Sequence, residues 1–212
     1  MLEITNHRAM PDGFVYLDEV IPSIKQDIRY FGVNNFLGRP VNGYHANRAI
    51  LTKSAASALK AVQEELSKFG LGLLVFDAYR PQQAVDDFVA WSKNNKDMKS
   101  KSANYPQVPK NTLISEGFIA EYSGHSRGST IDLTIVSGNP PFKQLNMGTR
   151  FDFFGSESRP NYAGISSQQR ANRLLLQNIM IKHDFKPYPQ EWWHFTLNNE
   201  PFPETYFNFP VR

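Results

Sequence analysis

Ser129-Thr130-Ile131-Asp132-Leu133-Thr134-Ile135, STIDLTI, alternates apolar and polar side chains with the period of two that belongs to a β-strand. On such a strand Ile131, Leu133 and Ile135 point to one face, and Asp132 with Thr134 to the other. Just upstream, Ser123-Gly124-His125-Ser126-Arg127-Gly128 sets one of only 5 histidines in a turn rich in glycine and serine. From that turn His125 can fold back towards the Asp132 face. A neutral imidazole and a carboxylate so placed are two suitable ligands for zinc. An ordinary Asp–His hydrogen bond beside a loop is the plainer alternative.

Two other stretches bear on the same question. In Glu191-Trp192-Trp193-His194-Phe195 a carboxylate and an imidazole sit three positions apart around two tryptophans. His194 would be a third ligand and would leave Glu191 free as a general base. Two histidines, one aspartate and an open position make a catalytic zinc site, where bound water becomes nucleophilic near neutral pH. Residues three apart on a regular strand face opposite ways, so this arrangement demands a bulge, a bend or a strand start near Trp192. The plainer reading is an amphipathic edge strand with two core tryptophans. Asp77-Ala78-Tyr79-Arg80-Pro81 follows the apolar run LGLLVF and places Arg80 where a strand gives way to a helix. There it could hold a developing oxyanion, or simply pair with Asp77 or cap the helix.

Around these stretches the pattern is mixed. Apolar residues at Ala55, Ala58, Leu59, Val62, Leu66 and Phe69 step by three or four, and Gly70 supplies a stop. Pro81 suits a first helical turn, with Val85, Phe88 and Val89 continuing the stripe. Ser166 or Ser167 can cap a third helix whose buried face would hold Ala171, Leu174, Leu175 and Ile179. Strands are expected over 71–76, 131–135 and 192–197. The elements do not alternate regularly, which predicts an α+β fold: a small central antiparallel sheet flanked by helices, in a single domain spanning 1–212. Long Pro/Gly/Asn-rich segments at 95–116 and 138–161 are expected to be lids or site walls.

Composition narrows the function. There is no cysteine, so disulfides and thiolate chemistry are excluded, and any zinc needs histidine and carboxylate ligands. A net charge of +3 without a basic block argues against nucleic acid. No apolar run of ~18 residues predicts a membrane span. No secretory h-region opens the sequence, so the cytoplasm is the expected compartment, or the periplasm if a leader precedes this numbering.

Taken together, SGHSRGSTIDLT, EWWHF and DAYRP resemble the zinc D-alanyl-D-alanine dipeptidases of the VanX type. YLDEV, NNFLGRPVNGY, MGTRFDFF and PETYFNFPV extend the resemblance over nearly the whole chain. It implies an α+β fold and one Zn2+ per chain, held by His125, Asp132 and His194. It further implies zinc-activated water with Glu191 as catalytic base and acid, and Arg80 stabilising the tetrahedral intermediate. Asp152 and Tyr30 would hold the free amino group of a small dipeptide substrate, and Ser123 would lie near its carboxylate end. Gly124 stands where some members carry serine. The alternative on the same fold is a zinc carboxypeptidase or endopeptidase acting on longer cell-wall peptides. A zinc-stabilised binding module is a non-enzymatic rival, and Glu191 beside an open metal position argues against it. Ser57 and Lys60 read S-x-x-K, as in penicillin-binding enzymes, but they fall inside a helical stripe and no K-T-G follows. His7 and His183 are expected at the surface or a helix end, and His45 near the site.

Overall fold

A computed structural model describes residues 3–212. In chain order it contains β1 (Glu3–Thr5), β2 (Phe14–Tyr16), α1 (Leu17–Val20), β3 (Lys25–Gln26), β4 (Ile50–Thr52), α2 (Lys53–Ser67), β5 (Leu71–Asp77), α3 (Gln82–Lys93) and α4 (Lys101–Asn104). There follow β6 (Thr130–Ser137), α5 (Ser167–Lys182), β7 (Phe185–Tyr188), β8 (Glu191–Leu197) and β9 (Thr205–Phe207).

Five strands form the central sheet in the order β3-β5-β6-β8-β7. The antiparallel arrangement expected from sequence holds for β5, β6, β8 and β7. It needs correcting at one edge, where β3 pairs parallel to β5. β4 and α2 lie between those two strands in sequence, and such a crossover connection returns a strand parallel, where a hairpin would return it antiparallel. Two small ribbons, β1 with β9 and β2 with β4, complete the sheets. β6 is buried along both faces from Thr130 to Val136, so its polar side chains face the interior of the protein.

α2 and α5 pack against the sheet and against each other. Thr52 caps α2 by accepting from the Ala55 amide, and Ala55, Leu59, Val62 and Leu66 are buried as the periodicity predicts. Phe69 departs from that prediction. The helix ends at Ser67, and the Phe69 ring is 74% exposed. α5 starts from a capping box between Ser166 and Gln169. Its expected face is wrong by a rotation: Leu174 and Leu175 are exposed, as is Ala171, while Asn172, Arg173, Leu176, Ile179 and Met180 are buried. The cause is polar. Asn172 Nδ2 donates to the Asn146 carbonyl (2.9 Å) and Arg173 Nε to that of Met147 (2.6 Å), so the helix turns these side chains inward against the 146–159 loop.

Candidate active site

Two irregularities in the sheet bring chemistry-bearing side chains together. β5 pairs with β6 in register to Val75–Leu133, then shifts by one so that Asp77 lies opposite Asp132. Without the extra residue, Phe76 would stand there; a bulge re-aims a side chain in this way. On its other side Asp132 pairs with His194 of β8. Asp77, Asp132 and His194 therefore form a row across three strands. Along the far edge, β7 pairs Pro187 with Phe195 but Tyr188 with Glu191, so residues 192–194 of β8 bow away from β7. This is the distortion that a shared orientation of Glu191 and His194 requires, and Glu191 Oε2 lies 3.6 Å from His194 Nδ1.

His125 enters from a 3-10 turn, Gly124–Arg127, capped by Ser123 Oγ, which accepts from the His125 amide at 3.3 Å. Gly128 ends the turn in the left-handed region (φ 81°), where any Cβ would collide with the Phe14 ring. The Ala78 carbonyl accepts from His125 Nδ1 at 2.7 Å, which leaves the Nε2 lone pair directed inward.

The three inward donors test for a metal. His125 Nε2 is 3.2 Å from Asp132 Oδ2 and 3.3 Å from His194 Nδ1, and His194 Nδ1 is 3.1 Å from Asp132 Oδ1. A tetrahedron with bonds of ~2.0–2.1 Å has edges of about 3.3 Å. The two imidazole nitrogens stand at that separation, each beside a different oxygen of Asp132, and one ligand atom from each of the three residues lies within 4.8 Å of the others, as a group able to hold a zinc-sized ion requires. Asp132 Oδ1 is buried without a hydrogen-bond donor, a state that a bound cation would relieve. Burial lowers the His125 pKa and favours the neutral, ligating form.

The profile of the D-ala-D-ala dipeptidase family matches residues 10–212. The chain belongs to that family. It is accordingly an enzyme of the metallopeptidase class. It is 42% identical over 202 residues to a D-alanyl-D-alanine dipeptidase of Enterococcus faecalis, covering 95% of this chain and 100% of the relative. Dipeptidases of Enterococcus faecium and Streptomyces coelicolor are 39% and 40% identical, again over 100% of their length and 96% and 95% of this chain.

In this dipeptidase-family chain all eight residues to which the resemblance gave a role border one cavity of about 220 Å³. Arg80 Nε donates to Asp77 Oδ2 (2.8 Å), so the plainer pairing exists, while its Nη2 reaches Asp132 Oδ2 at 3.4 Å. Burial works against the Arg80 charge, but Tyr30, Asp77, Tyr44 and Asp132 around it push its pKa well up. Tyr30 donates its hydroxyl to both Asp152 oxygens at 3.1 Å each. Burial, then the Asp132 charge, raises the Asp152 carboxyl well above normal. Burial, with Asp132 and Asp152 adding, does the same for Glu191.

Sequence reasoning missed several neighbours. Asp77 was expected only as a pairing partner of Arg80; it is wholly buried and also accepts from the Tyr44 hydroxyl at 2.6 Å. Tyr188 packs on His194 with ring centres 5.1 Å apart. Phe36, Phe88, Phe118 and Phe154 make the cavity's apolar wall, drawn from four separate segments with no local signature. His45 is exposed and away from the cavity, and its amide donates to the Val211 carbonyl at 2.8 Å, beyond the end of β9. The 95–116 segment, expected as a lid or site wall, supplies no residue to the cavity lining. Ser57 and Lys60 both lie on the exposed face of α2. His183 ends α5, where its Nε2 meets Glu65 at 2.9 Å, and His7 is exposed. No helix among the described residues is long and apolar enough to cross a membrane.

Proposed function

We propose that the chain is a zinc-dependent D-alanyl-D-alanine dipeptidase that hydrolyses D-Ala-D-Ala to two molecules of D-alanine. The observation that carries this reading is the group of His125, Asp132 and His194, with one ligand atom from each within 4.8 Å of the others and the Glu191 carboxylate 3.6 Å from His194 Nδ1. His125 Nε2, Asp132 and His194 Nδ1 would hold one ion per chain. When bound, zinc supplies a Lewis acid that polarises the scissile carbonyl and lowers the pKa of water.

The chain's own residues do the rest. Glu191, whose Oε2 lies 3.6 Å from His194 Nδ1, takes a proton from the attacking water and delivers it to the leaving amine. Arg80, oriented by Asp77, offers its remaining N–H groups to the oxygen that gains charge as water adds. Asp152, backed by the Tyr30 hydroxyl, takes the substrate's ammonium. An incoming cation restores the ionised carboxylate that burial disfavours in its absence. Ser123 Oγ accepts from the His125 amide, which leaves its own proton free for a carboxylate oxygen. The cavity, about 220 Å³, is smaller than the roughly 300–1,000 Å³ of sites that enclose drug-sized ligands, in keeping with a dipeptide.

The test is hydrolysis of D-Ala-D-Ala and of a pentapeptide ending in D-Ala-D-Ala, with and without a chelator. A longer peptide presents a neutral amide where Asp152 expects a charge, and such a mismatch is rejected by ~10⁴-fold or more. Similar kcat/KM on both substrates would turn the reading to a carboxypeptidase. Activity that survives chelation would remove the metal from it.

A further inference from the structure

Asp152 occupies an unusual backbone position. Its φ is 58°, in the left-handed region that residues other than glycine adopt at some cost and keep only when their surroundings impose it. It sits in a buried stretch between Phe151 and Phe154 whose sole regular element nearby is the 3-10 turn Ser156–Ser158. The imposing contact comes from outside the cavity. Asn104, on the single-turn α4 and 2% exposed, donates from Nδ2 to the Asp152 carbonyl at 2.8 Å. The Asn104 carbonyl accepts from the Phe154 amide at 2.6 Å. One residue thus grips the chain on both sides of Phe153.

We propose that Asn104 is a positioning residue for recognition of the substrate's amino group: its side-chain amide locks Asp152 in the left-handed backbone that sets the carboxylate against Tyr30 and the cavity. The inference rests on the reading of Asp152 as the ammonium anchor. A second buried polar side chain shows how the work is divided. Arg173 donates from Nε to the Met147 carbonyl (2.6 Å), from Nη1 to that of Arg159 (2.7 Å) and from Nη2 to that of Glu157 (2.9 Å). Arg173 ties down the two ends of the loop, and Asn104 fixes the tip that carries Asp152. Only an amide of this length serves at the tip, since aspartate has no proton to donate and glutamine adds a methylene to a closed space.

The test is a double-mutant cycle on zinc-loaded protein, with Glu191→Gln added throughout so that the dipeptide is not consumed. Calorimetry gives the D-Ala-D-Ala affinity with no further change, with Asn104→Ala, with Asp152→Ala and with both. Loss of a buried hydrogen bond that leaves a carbonyl unpaired is expected to weaken binding ~tenfold in Asn104→Ala. The double variant should bind no worse than Asp152→Ala alone, because Asn104 acts through Asp152. N-acetyl-D-Ala-D-Ala, which has no ammonium, should bind Asn104→Ala and the parent alike. Unchanged dipeptide affinity in Asn104→Ala overturns the proposal, as does an equal loss in the Asp152→Ala background. Asp152→Ala that binds the dipeptide as well as the parent instead removes the ammonium-anchor reading itself. Should Asn104→Ala not fold, Asn104→Asp keeps the volume and removes the donor. Failure of both to fold makes Asn104 a structural residue and refutes the assignment.

Discussion

The two halves of the cavity are built by different physics. His125, Asp132, His194 and Glu191 stand on or directly beside the central strands, and hydrogen-bond register sets their spacing, including the two places where it slips. Asp152 and Tyr30 lie outside the sheet, and buried side chains that donate to oxygens hold that half: Tyr30 on the Asp152 carboxylate, Asn104 on its carbonyl. A ladder of backbone bonds distributes the cost of positioning over many residues, whereas the loop half depends on single donors. The sheet half should therefore fail only when a chemical group is removed, and the loop half also when a remote support is removed.

The largest expected effect is in the sheet half. His194→Ala deletes one of three donors, and metal analysis should find its zinc near zero and its hydrolysis abolished. Undiminished zinc would take His194 out of the set. Glu191→Gln should keep the metal and lose ~10³-fold or more in kcat, since one carboxylate serves as both base and acid. Near-normal turnover would reassign that role. Next comes Arg80→Ala, with a kcat loss of ~10²–10³-fold and KM little changed, because the oxyanion develops only on the way to the transition state. A change confined to KM would make Arg80 a ground-state binder and blur the division between the halves.

In the loop half, Asp152→Ala should narrow the preference for dipeptide over pentapeptide by harming the dipeptide more, read as the ratio of the two kcat/KM values. An unchanged ratio would mean that something other than this carboxylate measures substrate length. The smallest effect concerns the scaffold. Leu176→Ala should cost about 2–5 kcal/mol in denaturant unfolding, while Leu174→Ala stays within about 0.5 kcal/mol. Equal losses would mean that α5 presents a different face.

The sheet half was the legible one. Alternation in STIDLTI announces a strand, and the need to turn Glu191 and His194 the same way predicts a distortion where β8 bows out. α5 was misjudged because periodicity counts only apolar residues, and here Asn172 and Arg173 are buried by partners some 14 to 26 positions upstream. Phe69 was misplaced for a related reason. A helical stripe says which side would be buried, and the end of the helix at Ser67 decides whether the position belongs to it.

Sequence by itself determined the kinds of donor available, the strands that carry them and the family to which the chain belongs, because side-chain chemistry and period are local properties. Tertiary structure decided what is not local. It placed the extra residue in β5 that turns Asp77 towards Asp132, the aromatic wall gathered from four segments, and the grip of Asn104 on a backbone 48 positions away. Such contacts join groups whose partners are chosen by packing in three dimensions, and no spacing along the chain encodes them.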